Sequence, residues 1–331
     1  MFWKCTTEKK ANPAELLKSG PAVTQLPLVL VTGANSGLGY SAASQLAESG
    51  RWRVLLGCRS KDKAEVAAEQ LIDNLQKKHG EAQWADRLLP VPAALKLDDC
   101  ASLSEFANSV HSKFGRIDVL VNNAGVFFPN PENGTNHDLE IAPGAIHPVV
   151  MTNAIGPTCL AVKLQPKRRV VTVITDPASV VKFGPPSVDD FNGDHAVGTS
   201  MLSTVFRYIY SKHVLSCLSA HMAAALPDVD SVLLGPGSVN TPIHSKTSEQ
   251  TTSWLFKFSL WVQKPFLGDV TSAGAWYVRA VDGDYNAAAQ TTTSGNFAVV
   301  HKGKLSKVPL AQNAELNAQL FEFAEKMWNA L

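Results

Sequence analysis

From about residue 26 onward, short apolar runs alternate with segments of helical periodicity. The run Leu26–Val31 stops at Thr32-Gly33, and the segment from Ser41 to Ser49 carries small and apolar residues at helical spacing up to Gly50. This reads as strand, turn and helix with a glycine stop. Arg53–Gly57 predicts a second strand, Lys63–Lys78 a charged amphipathic helix, and Leu88–Leu97 a third strand interrupted by Pro90 and Pro92. A helix over Leu103–Phe114, a fourth strand over Asp118–Asn122 and a β-branched fifth over Arg169–Thr175 continue the series. Phe206–Ala225 predicts a long helix, Ser231–Gly235 a sixth strand, Ala273–Val281 a helix, and Asn296–Val300 a seventh strand. Strands this apolar are buried on both faces, and their alternation with helices predicts an α/β fold with a doubly wound, seven-stranded parallel sheet.

Length alone allows two domains, but no composition shift, linker or repeat divides the chain, so the pattern predicts one. The expected division is an N-terminal arm over residues 1–25, the domain over 26–305, and a C-terminal helix over 306–331 packed on it through Leu316, Leu320, Phe323, Met327, Trp328 and Leu331. Before the last strand, an excursion over about 242–268 carries Trp254, Leu255, Phe258, Trp261 and Val262 at helical spacing. It predicts a lid over an apolar substrate, with packing on the core, on a second subunit or on a membrane surface as its other readings.

Of the 331 residues, 45% are apolar and 18% charged, which excludes a disordered chain. No apolar run reaches the roughly 18 residues of a membrane span. With 30 basic against 29 acidic side chains, the usual footprint of a nucleic-acid binder is missing, and small molecules become the expected partners. The five cysteines, Cys5, Cys58, Cys100, Cys159 and Cys217, are scattered with no metal-ligand spacing, so no metal site is expected. They fit a reduced, cytoplasmic setting, and the segment Met1-Phe2-Trp3-Lys4-Cys5 lacks the apolar core of a secretory signal.

The turn after the first strand reads Thr32-Gly33-Ala34-Asn35-Ser36-Gly37-Leu38-Gly39. Three glycines at this spacing permit a tight turn, let a pyrophosphate approach the backbone and allow the helix to pack close to the sheet. The second strand ends at Gly57-Cys58-Arg59, where an acid would grip the ribose of NAD. Arg59 instead offers a planar cation suited to a 2′-phosphate, with Lys61 and Lys63 nearby in sequence, so NADP(H) is favoured. Asp98 follows the third strand in position to accept from an adenine amino group, and Asn122-Asn123-Ala124-Gly125 ends the fourth.

In this order, TGxxxGxG, an Asp after the third strand and NNAG resemble the short-chain dehydrogenase/reductase family over about residues 26–300. The resemblance implies a Rossmann-type sheet and directs attention to Tyr208-Ile209-Tyr210-Ser211-Lys212, which is similar to the family's YxxxK. Residues i and i+4 share a helix face, so the Lys212 ammonium is expected near the Tyr208 phenol, and a nearby cation lowers a phenol pKa. Tyr210 has no lysine four residues on and is the decoy. The family's serine after the fifth strand corresponds to Thr175, with Ser179 as the fallback, and Asn153 resembles the asparagine that holds a relay water toward the lysine. A backbone-satisfied, helix-bending asparagine is the other reading of Asn153. Gly235-Pro236-Gly237-Ser238-Val239-Asn240-Thr241 resembles the PGxVxT turn that holds the nicotinamide carboxamide.

The long segment between Thr175 and Tyr208, with Gly57-Cys58-Arg59 and the C-terminal pattern, is most similar to the retinol dehydrogenase and protochlorophyllide reductase branch. The resemblance thus implies an NADP(H)-dependent oxidoreductase of a hydrophobic ketone, aldehyde or alcohol. A non-redox epimerase, dehydratase or cyclase, and a protochlorophyllide reductase-like enzyme, are the alternatives. Ser238 stands where the latter would carry a cysteine. Homo-oligomerisation is left open.

Overall fold

The computed structural model describes residues 23–80, 83–127, 146–175, 186, 201–237, 239, 268–284, 297–301, 304–305 and 313–330. Strands β1 (Leu28–Thr32), β2 (Arg53–Gly57), β3 (Leu88–Pro90), β4 (Val119–Asn122), β5 (Arg169–Val173), β6 (Asp230–Gly235) and β7 (Phe297–His301) form one parallel sheet in the order β3-β2-β1-β4-β5-β6-β7. The two-residue β8 (Lys304–Leu305) adds an antiparallel edge on β7 that the pattern did not predict. The helices are α1 (Gly37–Glu48), α2 (Lys61–His79), the single turn α3 (Trp84–Arg87), α4 (Cys100–Phe114), α5 over residues 148–164, α6 (Met201–Ala225), α7 (Val270–Asp282) and α8 (Ala314–Ala330).

Each strand feeds both faces. On β1, Val29 and Val31 join the apolar layer under α1, α2 and α7, while Leu28 and Leu30 join the layer under α4 and α5. A third cluster combines Leu233 and Val299 of the sheet with Val214, Leu215 and Leu218 of α6 and Leu320 and Ala324 of α8. Helix α1 buries Gly39, Ala42, Ala43, Leu46 and Ala47 at the 3–4 spacing that puts one stripe on the sheet. Helix α2 starts at Ser60, whose side chain accepts from the Lys63 amide, and ends at left-handed Gly80.

The third strand is shorter than predicted. Pro90 and Pro92 lack N–H groups, so the ladder ends at Pro90, although Val91 and Leu95 still donate to the carbonyls of Leu56 and Cys58 (3.2 and 2.8 Å). The fifth strand likewise stops at Val173, two residues before Thr175. Helix α6 begins five residues earlier than predicted, at Met201.

Helix α8 packs on α6, with Leu316 and Phe323 against the same apolar cluster. The arm over 1–22, the excursion over 242–267 with its aromatic residues, and Met327 to Leu331 of the C-terminal stripe lie outside the described residues or side chains. Among the described residues, no helix is long and apolar enough to cross a membrane, no cluster of His, Cys, Asp and Glu has metal-binding geometry, and Cys58, Cys100, Cys159 and Cys217 are buried free thiols.

Candidate active site

Strand β1 pairs with both β2 and β4, so the strand order reverses there and opens a crevice at the carboxyl ends. The glycine loop lies in this crevice. Gly33 and Gly37 take left-handed φ values of 67° and 57°, which side-chain-bearing residues rarely adopt. A Cβ on Gly39 would overlap the Gly33 carbonyl oxygen and lie 2.5 Å from Asn123 Nδ2. The backbone therefore turns tightly and α1 approaches the sheet with no room for a side chain. Ser36 precedes α1 in extended conformation without a side-chain capping bond, so the first-turn N–H groups are not satisfied by the cap. Asn35 and Ser36 are exposed and Leu38 packs on the core.

The loop rests on the end of β2. The Gly33 amide donates to the Gly57 carbonyl (2.7 Å), and the amides of Ala34 and Asn35 reach the Cys58 thiol. Burial nevertheless pushes that thiol up to about 11. Arg59 follows, half-buried, just before α2. Asp98 is exposed in the turn before α4, whose N-cap is the neighbouring Asp99.

The end of β4 is locked to β1. Thr32 Oγ1 donates to the Val121 carbonyl and accepts from the amides of Asn123 and Ala124 (both 3.0 Å), while Asn123 Nδ2 donates to the Thr32 carbonyl (2.8 Å). Tyr277 of α7, fully buried, donates its hydroxyl to Asn123 Oδ1 (2.8 Å). Sequence reasoning did not find Tyr277: it lies 154 residues from Asn123 in a helix without a motif.

Beyond Gly125, the backbone of Val126 is held by a side chain of α5. That helix opens with an α turn (Pro148–Val150), passes through a π-helical turn (Met151–Ile155) and continues as α (Gly156–Leu164). Asn153 sits in the π turn, fully buried. Its Oδ1 accepts from the Val126 amide (2.7 Å), and its Nδ2 donates to the Val126 carbonyl (2.8 Å) and to Ser211 Oγ (3.0 Å). The side chain is thus a clamp engaged with the protein itself, at a helix distortion of the kind that recurs near functional sites. Ser211 in turn donates to the Tyr208 carbonyl (2.7 Å).

Tyr208 and Lys212 lie on one face of α6, with Lys212 Nζ 6.0 Å from the Tyr208 ring centroid. Lys212 is buried and donates to the Val173 carbonyl at the end of β5 (2.9 Å). A Cβ on Gly125 would lie 3.2 Å from Asn153 Oδ1 and 3.4 Å from Lys212 Nζ, which brings the NNAG end, Asn153 and Lys212 into one cluster. Burial pushes the Lys212 ammonium down to about 8 and the Tyr208 phenol up to about 12. The expected lowering of the phenol is therefore not present: desolvation dominates, with one N–H of the ammonium on the Val173 carbonyl. Tyr210 packs toward the apolar cluster under α6.

Thr175 is half-buried two residues past β5, and Ser179 lies outside the described residues. Pro236 is buried and Gly237 left-handed (φ 72°) after β6, and Val239 bridges in parallel to Gly268. Ser238 and Thr241 of this turn are outside the described residues.

Residues 27–174 match the family model described as short chain dehydrogenase. Short-chain dehydrogenase anuI of Penicillium roqueforti is 40% identical over 114 residues, which are 34% of this chain and only 40% of that protein. Retinol dehydrogenase 14 of Mus musculus is 28% identical over 247 residues, 71% of this chain and 70% of that one. Chloroplastic protochlorophyllide reductases are similar over a shorter stretch. Among solved structures, L-sorbose reductase from Gluconobacter frateurii superposes with a TM-score of 0.54 at 19% identity, over 84% of this chain and 96% of that one, and shares the fold.

The crevice, the glycine loop and the NNAG lock belong to a Rossmann-type, doubly wound α/β fold. Over residues 27–174 the chain matches the short-chain dehydrogenase family model, and it is similar to retinol dehydrogenase and protochlorophyllide reductase members.

Proposed function

We propose that the protein is an NADP(H)-dependent oxidoreductase that reduces a hydrophobic ketone or aldehyde, or oxidises the corresponding alcohol. The observation that carries this reading is the convergence of Gly125, Asn153, Lys212 and Tyr208 at the carboxyl ends of β4 and β5, beside the crevice formed by the glycine loop. The left-handed glycines, the side-chain-free approach of Gly39 and the uncapped first turn of α1 fit a dinucleotide pyrophosphate. In this assignment Gly33, Asn35, Ser36, Gly37, Leu38 and Gly39 hold the phosphates, Arg59 the 2′-phosphate and Asp98 the adenine. Asn123, Ala124, Gly125, Pro236, Gly237, Val239 and Thr241 line the nicotinamide half.

When bound, the reduced nicotinamide supplies the hydride that reduces the carbonyl carbon. Thr175 donates its hydroxyl hydrogen bond to the carbonyl oxygen. Tyr208, held protonated by burial, gives its proton to the same oxygen as charge develops there, so the product is an alcohol and the phenol becomes a phenolate. Lys212 stabilises that phenolate through its nearby ammonium and completes the ribose site. Asn153 positions the Val126 backbone and α6 relative to each other. Alcohol oxidation follows the reverse path.

The single domain over 26–305, the arm, the excursion as a lid, the separate C-terminal helix and a cytoplasmic setting belong to the same proposal. The packing of α8 on α6 and the four buried free thiols support it. The test is a panel of ketones, aldehydes and alcohols with NADPH or NADP⁺, followed at 340 nm. Substrate-dependent cofactor turnover, abolished in Tyr208→Phe, is expected, and product formation with no cofactor consumption would replace the redox reading with a non-redox one. Arg59→Asp is expected to reverse a preference for NADPH over NADH, and equal affinities in the unmodified protein would remove Arg59 from the site.

A further inference from the structure

On the face of the sheet that carries α5 and α6, Asn122 at the end of β4 lies beside Thr172 of β5 and is 4% exposed. Its Nδ2 donates to the Pro157 carbonyl in α5 (3.1 Å), which fixes the amide and leaves Oδ1 as a buried acceptor with no partner among the described residues. Such a group costs free energy unless a donor reaches it. A narrow cavity between the sheet, α5 and α6 borders Asn122, and four hydroxyl residues, Thr158, Thr172, Ser219 and Ser231, contribute to its wall. Three of these hydroxyls already give their hydrogens away: Thr158 to the Ala154 carbonyl (2.8 Å), Ser219 to that of Leu215 (2.8 Å) and Ser231 to that of Ser219 (3.1 Å). Their oxygens keep lone pairs. The wall is therefore rich in acceptors, and a guest that suits it brings hydrogens.

Size narrows the choice. The cavity leaves about 10 Å³ for the centres of water-sized molecules, which is room for one. Leu226 at its border is exposed, so the space reaches solvent. A cation would seek an uncommitted carboxylate, but Asp230, the acidic residue of the wall, is held by Arg169, whose Nε donates to it (3.1 Å).

We propose that the cavity is a hydration site in which one water donates to Asn122 Oδ1 and to one of the hydroxyl oxygens of the wall. The water supplies the hydrogen bond that Asn122 lacks, and a buried water with such partners is a structural part that is costly to remove. The next residue on each strand belongs to the candidate active site: Asn123 is locked to Thr32, and the Val173 carbonyl accepts from Lys212. The water thus supports the ends of β4 and β5 one residue behind that cluster. This inference goes beyond the redox reading and does not depend on it.

The test is a crystal structure of the unmodified full chain at a resolution that shows ordered solvent. A water peak about 2.8 Å from Asn122 Oδ1 is expected. Clear density for the side chain with no peak beside it overturns the inference, and so does a peak whose occupancy follows the ammonium concentration of the crystallisation solution.

A second arm needs no crystal. Thr172→Val removes a hydroxyl at nearly constant volume, whereas Thr172→Ile also adds a methylene group beside the cavity. If water fills the space, isoleucine displaces it and strands Asn122 Oδ1, so Thr172→Ile is expected to unfold at lower urea than Thr172→Val. In a dry cavity the added methylene packs into a void and the order reverses, which overturns the inference. Repeating the pair in Asn122→Leu separates a stranded acceptor from crowding. Without the acceptor the difference is expected to shrink, and an undiminished difference assigns the loss to crowding and overturns the role of the water. The crystal structure and the Thr172 pair decide alone where Asn122→Leu does not fold.

Discussion

The Tyr277 hydroxyl donates to Asn123 Oδ1 across 2.8 Å, and through it α7 is tied to the point where the sheet reverses its strand order. Asn123 spends its amide on Thr32, so one side chain joins β1, β4 and α7. Tyr277 is fully buried and desolvation pushes its phenol far above the ordinary range, which keeps it a donor at every working pH. Tyr277→Phe removes that donor and leaves a buried acceptor unpaired, at a cost of about 1–3 kcal/mol. Urea unfolding measures the loss. Weaker NADPH binding in the same variant is expected as the Asn123 end of the loop loosens, and an unchanged stability would show that the bond contributes nothing net.

Gly39 is the position where an added methyl group has no place to go. A Cβ there lies 2.5 Å from Asn123 Nδ2 and overlaps the Gly33 carbonyl, which is backbone and cannot swing aside. Gly39→Ala is expected to push α1 off the crevice, costing stability by about 1–3 kcal/mol of overpacking and abolishing NADPH binding. Gly80→Ala is a useful contrast. Gly80 has φ 71° but open space around its Cβ direction, so that variant is expected to lose stability through backbone strain while retaining cofactor affinity. Isothermal titration with NADPH and thermal melts of both variants distinguish the two mechanisms.

The layered fold was legible because the central strands carry runs of Val and Leu long enough to fill both faces, as Val29–Val31 and Val119–Val121 do. The glycine loop was legible because its left-handed turns demand glycine, whereas Tyr208 and Lys212 were singled out by the resemblance to YxxxK, and spacing supplied only their shared helix face. The end of the third strand was misjudged, since two prolines cut a ladder that apolar content alone suggested would continue. Tyr277 and Ser211 were missed for a different reason. Their partners are brought together by the sheet order rather than by spacing, although Ser211 sat inside the quoted Tyr208–Lys212 segment. The direction of the Tyr208 shift was also misjudged, because spacing reveals a nearby cation but not how much water both groups lose.

That loss of water has a consequence for stability. Lys212 has its ammonium pushed from 10.5 to about 8 in the folded chain, so between those values the unfolded chain binds more protons and folding becomes more favourable as pH rises. Tyr208 acts in the opposite sense higher up: with its phenol raised from 10.0 to about 12, stability is intact below pH 10 and is lost as pH rises through that interval. Lys212→Met removes the first effect. Below pH 8 the variant is expected to gain on the order of 3 kcal/mol over the unmodified protein, less the lost bond to Val173, and the gain is expected to vanish near pH 10. Urea unfolding at pH 7 and pH 10 checks this, and a pH-independent difference would mean that Lys212 is not desolvated.

Asn153 tests whether the π turn exists to hold this clamp. Its amide group makes three bonds that only a carboxamide can make together, since one oxygen must accept from the Val126 amide while one nitrogen donates to the Val126 carbonyl and to Ser211. Asn153→Asp keeps the shape but replaces the donor with an acceptor facing a carbonyl, so it is expected to be worse than Asn153→Ala, which merely leaves the Val126 groups unpaired. Both variants are expected to lose about 2–4 kcal/mol of stability, with Asn153→Asp recovering in part at low pH as the carboxyl protonates and can donate again. If the amide instead serves to order a water for the proton path, Asn153→Asp would keep the stability of the unmodified protein and show its defect only in the pH dependence of turnover. The three short bonds to Val126 and Ser211 argue for the clamp, because they engage both amide N–H groups and the carbonyl oxygen with the protein itself.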